Sequence, residues 1–351
     1  MFRALYRISR TNLSFISSVS ESPVRHSSVA PCWYLKHSAN RPSSSSSSAA
    51  NVPAVTVGEL CNNWTIKMSL SGIPEAKQSA ELIIANVLHL PTLHNVLSSV
   101  TLTPDQVTQV KLNCEKRMHR IPLQYIIGEW DFCDLTLKMQ PPVFIPRPET
   151  EQLVGHILSF LDAEKKETKG RFLEIGCGSG SLSLALLHKL TQWNCVATDI
   201  SKESRYLTHE NAHRCKLADR IQIIEHDINK GAERLKEFSP FDFLVSNPPY
   251  INDKDMKTLL PEVKFYEDQR ALRGGKDGLD LIKAVLKTAC HLVSPSGSIW
   301  LEVDCSHISE LYKWVVSETK LCLRTVNILP DSSGKDRFFH FMRTEDDSGP
   351  A

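Results

Sequence analysis

A predicted strand ends in a tetrapeptide whose polar groups could bind an amino group. The apolar run Phe241–Val245 leads through Ser246 into Asn247-Pro248-Pro249-Tyr250. The two prolines remove backbone donors and fix φ, so the carbonyl groups there can face outward as acceptors, and Asn247 adds a side-chain carbonyl. An NH₂ group between these acceptors would donate both of its hydrogens to them, which fixes the direction of the nitrogen lone pair. The Tyr250 ring would form a flat wall beside it. The tetrapeptide therefore predicts a site for a planar amide or amine nitrogen.

A glycine-rich loop upstream indicates a cofactor site. The segment Glu174-Ile175-Gly176-Cys177-Gly178-Ser179-Gly180 lies directly between a predicted strand and a predicted helix. Glycines let the backbone approach a ligand closely, and the first turn of a helix offers unpaired N–H groups. The residues that we expect to contact the cofactor here are Glu174, Gly176, Cys177, Gly178, Ser179 and Gly180.

Two aspartates follow the next two predicted strands. Asp199 ends the second strand, where an acid can bind ribose hydroxyl groups, and Asp227 follows the third. Because open α/β sheets bind ligands beyond the carboxyl ends of their strands, we expect both aspartates, the glycine loop and Asn247 to line one crevice. Each aspartate would suit a helix cap equally well. An NAD(P)-dependent oxidoreductase would also use the loop and Asp199, but it leaves the Asn247–Tyr250 segment without a role.

Strands and helices alternate from Gly170 onward, which predicts a doubly wound α/β sheet covered on both faces. The predicted strands are Phe172–Ile175, Cys195–Thr198, Ile221–Ile224, Phe241–Val245 and Ser298–Val303, and the predicted helices are Ser181–Leu190, Lys202–His213 and Leu279–Leu292.

The chain before this alternation has a different pattern. The stretch from Val55 to Arg120 has a helical pattern, and Thr103-Pro104-Asp105 is typical of a capped helix start. Two short strands with a turn between them are predicted at Tyr125–Phe132 and Leu135–Met139, and a helix is predicted to open at Thr150. The sequence therefore predicts a small helical domain and a hairpin ahead of the sheet.

Three further strings carry a specific resemblance. They are Gln124–Phe132, Phe144–Glu151 with its Pro-Arg-Pro-Glu-Thr-Glu core, and Arg270-Ala271-Leu272 followed by Gly274–Leu279. Together with Asn247–Tyr250 after the fourth strand, they resemble the HemK/PrmC-type glutamine methyltransferases of peptide-chain release factors, over approximately Ser71 to Arg343.

The resemblance implies a fold and a division into domains. The expected fold is a Rossmann-like, seven-stranded class I methyltransferase sheet with a small helical N-terminal domain and a β-hairpin linker. The expected divisions are 51–121 as helical substrate-docking domain, 122–146 as hairpin linker and 147–345 as S-adenosylmethionine-dependent methyltransferase domain. Residues 1–50 lie outside the resemblance and are expected, from their composition alone, to be transit peptide and serine-rich linker.

The resemblance also implies a reaction. The cofactor would be S-adenosyl-L-methionine, and the substrate would be the glutamine of a Gly-Gly-Gln motif in a peptide-chain release factor. Asn247 Oδ1 and the Pro248 carbonyl would accept hydrogen bonds from the glutamine NH₂ group, while Tyr250 would pack against the amide. The residues expected at the substrate are Asn247, Pro248, Pro249 and Tyr250, with Arg147 and Glu149 as possible secondary contacts.

Rival functions remain open on the sequence. An adenine-specific DNA methyltransferase shares the Asn-Pro-Pro-Tyr segment, but the net charge of +1 and the lack of a basic target domain disfavour nucleic acid as a partner. A non-catalytic binding subunit with the same fold is a further alternative. His209-Glu210-Asn211-Ala212-His213 matches the H-E-x-x-H zinc motif, but it lies on a polar predicted helix, and we expect no metal.

The N-terminal residues differ in composition from the rest. Residues 1–20 contain no acid and are punctuated by Arg3, Arg7 and Arg10, and Ser43–Ser48 form a serine tract. An arginine- and serine-rich, acid-poor amphipathic start is typical of an organellar transit peptide. We therefore expect import into the mitochondrial matrix and a mitochondrial release factor as partner. Chloroplast transit peptides share much of this composition, and a basic tail without a role in import is the other alternative. No apolar run reaches the roughly 18 residues that a membrane-spanning helix needs, so no membrane association is expected.

Overall fold

The computed structural model describes residues 54–164 and 169–345, and these begin with a helical region. Its helices are α1 (Val57–Leu70), α2 (Ala76–Val87), α3 (Pro104–Met118) and α4 (Leu123–Ile127). The predicted capped start at Thr103 is confirmed, because its hydroxyl accepts from the Gln106 backbone while the Gln106 side chain accepts from the Thr103 backbone. The predicted transit peptide and serine-rich linker lie outside the described residues.

The helical region has a hydrophobic core of its own. Trp64 and Met68 of α1 pack with Ile83 and Ile84 of α2 and with Val110 of α3, and all five side chains are buried. Helices of this length are not stable alone in water, and contacts of this kind hold the three together.

A β-hairpin follows, shorter than the sequence predicted. Its strands are β1 (Glu129–Phe132) and β2 (Leu135–Lys138), paired antiparallel with Phe132 opposite Leu135. The prediction of a strand from Tyr125 was wrong for its first residues, which lie in α4. Gly128 adopts φ 85°, and its N–H donates to the Gln124 carbonyl. A glycine in this left-handed conformation ends the helix and lets the strand begin at the next residue.

The remaining described chain alternates helices and strands. In order they are α5 (Pro148–Ala163), β3 (Lys169–Ile175), α6 (Ser181–Lys189), β4 (Gln192–Asp199), α7 (Lys202–Arg214), β5 (Ile221–Glu225), β6 (Phe241–Ser246), β7 (Ile251–Asn252), α8 (Pro261–Tyr266), β8 (Arg273–Gly275), α9 (Asp280–Leu292), β9 (Val293–Glu302), α10 (Ile308–Ser317), β10 (Leu323–Pro330) and β11 (Asp336–Arg343). Short 3₁₀ helices are Ala218–Arg220, Ile228–Lys230, Glu233–Phe238, Asp255–Lys257, Gln269–Ala271, Cys305–His307 and Thr319–Leu321.

Seven of these strands form one sheet in the order β10-β11-β9-β6-β3-β4-β5. The five strands from β9 to β5 run parallel, and β11 and β10 add an antiparallel edge. The expected seven-stranded α/β fold is confirmed, and each of the five strands predicted from the sequence overlaps an observed one. The strand order reverses direction between β3 and β6, which is the point where open α/β sheets bind ligands.

Helices cover both faces of this sheet. On one face, Leu153 and Ile157 of α5 and the apolar side of α6 pack on Phe172 and Phe243. On the other face, Ile282 and Leu286 of α9 pack on Leu173 and Leu244 of the same two strands. Both faces of the central strands are therefore buried. A ligand can reach these strands beyond their carboxyl ends. Within residues 54–164 and 169–345, no helix combines the length and the apolar character needed to cross a membrane.

Candidate active site

The reversal of strand order brings the two predicted loops together. Ile175 pairs with Ser246 across β3 and β6, and the Ser246 hydroxyl donates to the Ile175 carbonyl at 2.7 Å. Gly176 and Asn247 therefore leave the sheet from neighbouring strands at the same edge. The structure thus brings the glycine loop and Asn247 to one edge of the sheet, and their contact with a common ligand stays a prediction.

The glycine loop borders open space. Gly176 and Gly178 have φ of 79° and 56°, and apart from the glycine and its two chain neighbours no atom of the described chain lies within 4 Å of where a Cβ would stand at either residue. At Gly180, by contrast, a Cβ would come within 2.9 Å of Thr208 Cγ2. The first two glycines therefore expose backbone that a ligand could approach, and the third permits close packing of α7 against the loop. An elongated cofactor with a polar chain fits such a loop.

Asp199 closes the glycine loop. Its Oδ2 accepts from Gly178 N–H at 3.0 Å, and its Oδ1 accepts from Ser201 N–H at 2.8 Å. Burial raises the pKa of Asp199, and these two backbone hydrogen bonds oppose the rise. Each oxygen retains acceptor capacity, so the carboxylate fits the predicted ribose contact.

Asp227 lies at the carboxyl end of β5 and acts as a cap. Its Oδ1 accepts from the backbone N–H and from the side-chain Nδ2 of Asn229, at 3.0 and 3.1 Å. Of the two interpretations that the sequence left open, capping is thus observed for Asp227. Its contact with a cofactor stays a prediction.

Two predicted cofactor residues direct their side chains into the protein. The Glu174 carboxylate is 1% exposed and accepts from the Ser183 N–H at 3.1 Å and from the Ser183 hydroxyl. Burial raises its pKa to about 8. The Cys177 thiol is also buried, accepts from the Thr208 hydroxyl at 3.3 Å and has a raised pKa because of burial. These side chains brace the loop from behind, and their predicted contact with a cofactor stays a prediction.

Asn211 supports the loop in a way that the sequence analysis missed. Its Nδ2 donates to the carbonyls of Ser179 (2.9 Å) and Lys138 (3.1 Å), and its Oδ1 accepts from Lys138 N–H at 2.7 Å. Asn211 is completely buried. One side chain on α7 therefore ties the glycine loop to strand β2 of the hairpin. The partners lie 32 and 73 residues away in sequence, which no local pattern reveals.

The Asn247–Tyr250 segment lines an open cleft of about 500 Å³. Phe144, Arg147, Leu259, Val263, Ala271 and Leu272 line the rest of it. Asn247 Nδ2 donates to Thr150 Oγ1 at 3.2 Å, so Oδ1 is the atom of this amide that is available to accept from a ligand. Burial raises the pKa of Tyr250, so this phenol stays neutral at ordinary pH. The Asn247–Tyr250 segment thus gives the cleft hydrogen-bond acceptors and an aromatic wall, and it contains no charged residue.

A second glycine-rich loop presses on this segment from behind. A Cβ at Gly274 would lie 2.7 Å from Tyr250 Cα and 2.8 Å from the Pro249 carbonyl oxygen. A Cβ at Gly278 would lie 2.4 Å from the Tyr250 carbonyl oxygen. Because each of these atoms is backbone, neither position admits a side chain without moving the segment. This packing explains why glycines in the Gly274–Leu279 string accompany Asn-Pro-Pro-Tyr.

Arg147 forms one wall of the cleft. Its Nη2 donates to both oxygens of Glu267, at 2.8 and 3.0 Å, and its guanidinium lies 4.6 Å from the centre of the Phe144 ring. Burial raises the pKa of Glu267, and Arg147 opposes the rise. Arg147 is thus held in place beside the Asn247–Tyr250 segment, and its contact with a ligand stays a prediction. Glu149 lies in the first turn of α5 and is half-buried, and its proposed contact with a ligand stays a prediction.

Ion pairs connect the helical region to the cleft. Arg117 of α3 and Arg120 of the turn after α3 donate to the two oxygens of Glu262 at 2.9 and 2.8 Å, and Glu262 lies on α8 beside Val263 of the cleft wall. A second cleft, of about 560 Å³, lies between these elements and shares Arg147 and Val263 with the first. The helical region, the hairpin and the Asn247–Tyr250 segment thus border one continuous stretch of surface.

The H-E-x-x-H string has no metal-site geometry. The His209 and His213 Nε2 atoms lie 3.3 Å apart, and Glu210 pairs with Lys138 at 2.7 Å. No group of three or more His, Cys, Asp or Glu side chains arranged for a metal occurs in the described part of the chain.

Comparison with known proteins agrees with this geometry. Residues 154–279 match the family described as Methyltransferase small domain, and residues 59–128 match the PrmC N-terminal domain. The chain is 42% identical over 301 residues to the human MTRF1L release factor glutamine methyltransferase, a match that covers 83% of this chain and 88% of the relative. It is 30% identical over 286 residues to the release factor glutamine methyltransferase of Deinococcus radiodurans, covering 81% of this chain and 98% of the relative. The chain therefore belongs to the release factor glutamine methyltransferase family.

Proposed function

We propose that this protein is an S-adenosylmethionine-dependent methyltransferase that acts on the side-chain amide nitrogen of the glutamine in the Gly-Gly-Gln motif of a mitochondrial release factor. Family membership and the names of the relatives support the reaction. An adenine in DNA is disfavoured as substrate, because the two relatives named above are release factor glutamine methyltransferases and the formal net charge is only +1.

The single observation that carries the proposal is the orientation of the Asn247 amide. Its Nδ2 is engaged by Thr150, so Oδ1 is available in the cleft to accept one hydrogen of a substrate NH₂ group. The Pro248 carbonyl accepts the other hydrogen. Both bonds fix the nitrogen in one orientation and oppose the amide resonance that delocalises its lone pair. Positioning of this kind can supply several kcal/mol of a reaction barrier without a general base.

The glycine loop holds the cofactor in this proposal. Gly176 and Gly178 leave open space in front of the loop backbone, Asp199 binds the ribose hydroxyls, and Asp227 lies at the end of the next strand. S-adenosylmethionine supplies the methyl group as a strong electrophile. Tyr250 packs against the substrate amide. As the nitrogen–methyl bond forms, the sulfur–methyl bond would break and S-adenosylhomocysteine would leave, and the methylated nitrogen would lose its proton to solvent as the product is released.

The direct test is labelled-methyl transfer to a purified mitochondrial release factor, with the modified peptide mapped by mass spectrometry. We expect one methyl group on the glutamine of Gly-Gly-Gln and none when that glutamine is replaced by alanine in the release factor. Methyl transfer to adenine in DNA, with none to the release factor, would contradict the substrate assignment and leave the methyltransferase assignment intact.

The helical domain, residues 51–121, and the hairpin linker, residues 122–146, dock the protein substrate in this proposal. The Arg117–Glu262 and Arg120–Glu262 ion pairs support it, because they attach α3 to the wall of the cleft. Residues 147–345 form the methyltransferase domain. Deleting the residues before Gln124 should abolish methylation of the folded release factor if docking depends on them, provided that the truncated chain still binds cofactor.

The N-terminal 50 residues direct the protein to the mitochondrial matrix in this proposal. Their support is compositional: three arginines and no acid occur in the first 20 residues. Import of the full chain into isolated mitochondria, with protection from added protease, is the expected result. Equal import of a chain that begins at Val55 would contradict it.

A further inference from the structure

A buried carboxyl group lies directly behind the substrate cleft. Glu302 ends β9, and because Ser246 pairs with Leu301 in the parallel register of β6 and β9, Glu302 is the neighbour of Asn247 across the sheet. Its side chain is 1% exposed, and its Oε2 has no hydrogen-bond partner within the described residues. An unpartnered carboxylate oxygen in the interior destabilises a fold, so its presence here suggests a role in function.

The neighbours of Glu302 belong to the cleft. Burial raises its pKa to about 7, and the hydrogen-bonding side chains of Thr150 and Asn247 are among the groups that oppose the rise. Arg337 on β11 and Glu149 on α5 face it as charged groups, and the Tyr250 phenol lies close enough for its pKa to be raised by the Glu302 charge. Thr150 is 2% exposed, and it accepts the Nδ2 hydrogen bond from Asn247.

We infer that Glu302 and Thr150 are positioning residues that hold the Asn247 amide with Nδ2 turned into the protein and Oδ1 turned toward the substrate NH₂ group. This inference rests on the proposed function. An isolated Asn side chain can present either its oxygen or its nitrogen to a ligand, and only the oxygen accepts a hydrogen bond. The Thr150 hydroxyl accepts from Nδ2, and the Glu302 carboxyl group is close enough for Thr150 and Asn247 to affect its pKa, so both favour the orientation that the reaction needs.

The charge of Glu302 contributes as well as its position. A negative group on the Nδ2 side polarises the Asn247 amide toward its oxygen, which makes Oδ1 a stronger acceptor in an interior of low dielectric constant. Protonation of Glu302 removes this polarisation, and it turns the carboxyl group from a pure acceptor into a group that can also donate. Turnover should therefore increase as the pH rises through the range in which Glu302 loses its proton.

The test compares Glu302→Gln and Thr150→Val with Thr150→Ser in the full chain. Glu302→Gln and Thr150→Val should each lower kcat by roughly 10- to 100-fold, the usual effect of losing a group that orients an active-site residue, with KM and cofactor affinity within about twofold of wild type. Thr150→Ser retains the hydroxyl and should retain kcat within about threefold.

Wild-type kcat should rise with pH between about 6 and 8, and Glu302→Gln should give a flat profile of kcat against pH. Glu233→Gln, which removes an exposed carboxylate paired with Lys236, is the matched control and should leave the profile unchanged.

Two further measurements separate positioning from a purely structural role. The Tm of Glu302→Gln at pH 8 should equal or exceed that of wild type, because the substitution removes a buried charge. The side-chain amide signal of Asn247 in ¹⁵N NMR, identified by its loss in Asn247→Ala, should shift with pH in wild type and not in Glu302→Gln. A pH-independent Asn247 signal, or kcat unchanged in Glu302→Gln, would overturn the inference. A wild-type enzyme that gives no methylated glutamine would instead overturn the proposed function, and the NMR result would still decide the role of Glu302.

Discussion

The two loops at the reversal of strand order are built in different ways. The glycine loop after β3 presents backbone, and at Gly176 and Gly178 no side chain fills the space in front of it. The segment after β6 places the Asn247 side chain at the cleft, and it is supported from behind by Thr150 and by the glycines of the 274–278 loop. The glycine loop leaves room for a ligand to approach its backbone, whereas the Asn247–Tyr250 segment fixes the orientation of the Asn247 amide.

Each loop also has a buried carboxyl group behind it, and the two differ in what they contact. Glu174 accepts from Ser183 in the first turn of α6, which is scaffold. Glu302 neighbours Asn247 and Thr150, which belong to the cleft. The comparison suggests that cofactor binding depends on backbone shape, whereas turnover depends on the orientation of one side chain. Changes to the two loops should therefore have separable effects.

The largest expected effect is that of Asn247→Ala on turnover. Removal of Oδ1 leaves one hydrogen of the substrate NH₂ group without its acceptor, and we expect methyl transfer to fall by on the order of 10²- to 10³-fold. Cofactor affinity, measured by calorimetry, should stay within about threefold of wild type. Asn229→Ala, a change in an exposed asparagine beside Asp227, is the control for loss of an amide near the site. Equal loss of cofactor binding and turnover in Asn247→Ala would contradict the separation of the two loops.

The next effect is that of Gly178→Ala on cofactor affinity. A Cβ at φ 56° is strained by roughly 1–2 kcal/mol, and the added methyl group would also enter the space that a ligand needs. We expect cofactor affinity to fall by about tenfold or more. Gly334→Ala carries similar strain at φ 80° in the turn between β10 and β11, also with open space around it. It should lower Tm by a similar amount and leave cofactor affinity unchanged, and a loss of affinity in both variants would contradict the assignment.

Much of this arrangement was predictable from the sequence, because it depends on residues that are close in the chain. Glycines after one strand and Asn-Pro-Pro-Tyr after another are local patterns, and parallel strands bring their carboxyl ends to one edge. The supports were not predictable in the same way. Thr150 and Asn247 are 97 residues apart, and Asn211 and Lys138 are 73 apart, so each contact exists only in the folded chain.

Local patterns gave the wrong secondary structure where a single residue sets the boundary between a helix and a strand. The apolar run Tyr125–Ile127 was predicted as strand, but it is helical until Gly128. The two edge strands β10 and β11 were implied by the family resemblance and not by the alternation of strands and helices, because an antiparallel pair at the edge does not continue that alternation. Side-chain direction was equally hidden, since Glu174 and Cys177 belong to the glycine loop and still face inward.

A third prediction compares the two buried carboxyl groups through pH. The pKa of Glu174 is raised from 4.5 to about 8 in the folded protein, so the folded state retains a proton that the unfolded chain releases. Its stabilising contribution is therefore complete below about pH 4.5 and is lost as the pH rises toward 8. Wild-type Tm should fall more between pH 5 and 9 than the Tm of Glu174→Gln, as calorimetry can show. Identical pH dependence of Tm in the two proteins would contradict the buried, protonated state of Glu174.

The smallest expected effect concerns docking. Ile66 and Leu70 are exposed on one face of α1, at 57% and 83%. If the helical region docks the release factor, Ile66→Asp with Leu70→Asp should raise KM for the folded release factor a few-fold and leave kcat unchanged. A short Gly-Gly-Gln peptide should show no change in KM. Val316→Asp, at an exposed position on α10, is the control, and an equal rise in KM there would contradict a specific docking face.

The most direct test of the separation of the two loops is the methyl-transfer rate at increasing cofactor concentration for Gly178→Ala and Asn247→Ala. The account predicts that excess cofactor restores the rate of Gly178→Ala toward that of wild type, because this variant has lost affinity and retains the Asn247 amide. It also predicts that no concentration restores Asn247→Ala. Recovery of both variants, or of neither, would contradict the assignment of cofactor binding to one loop and turnover to the other.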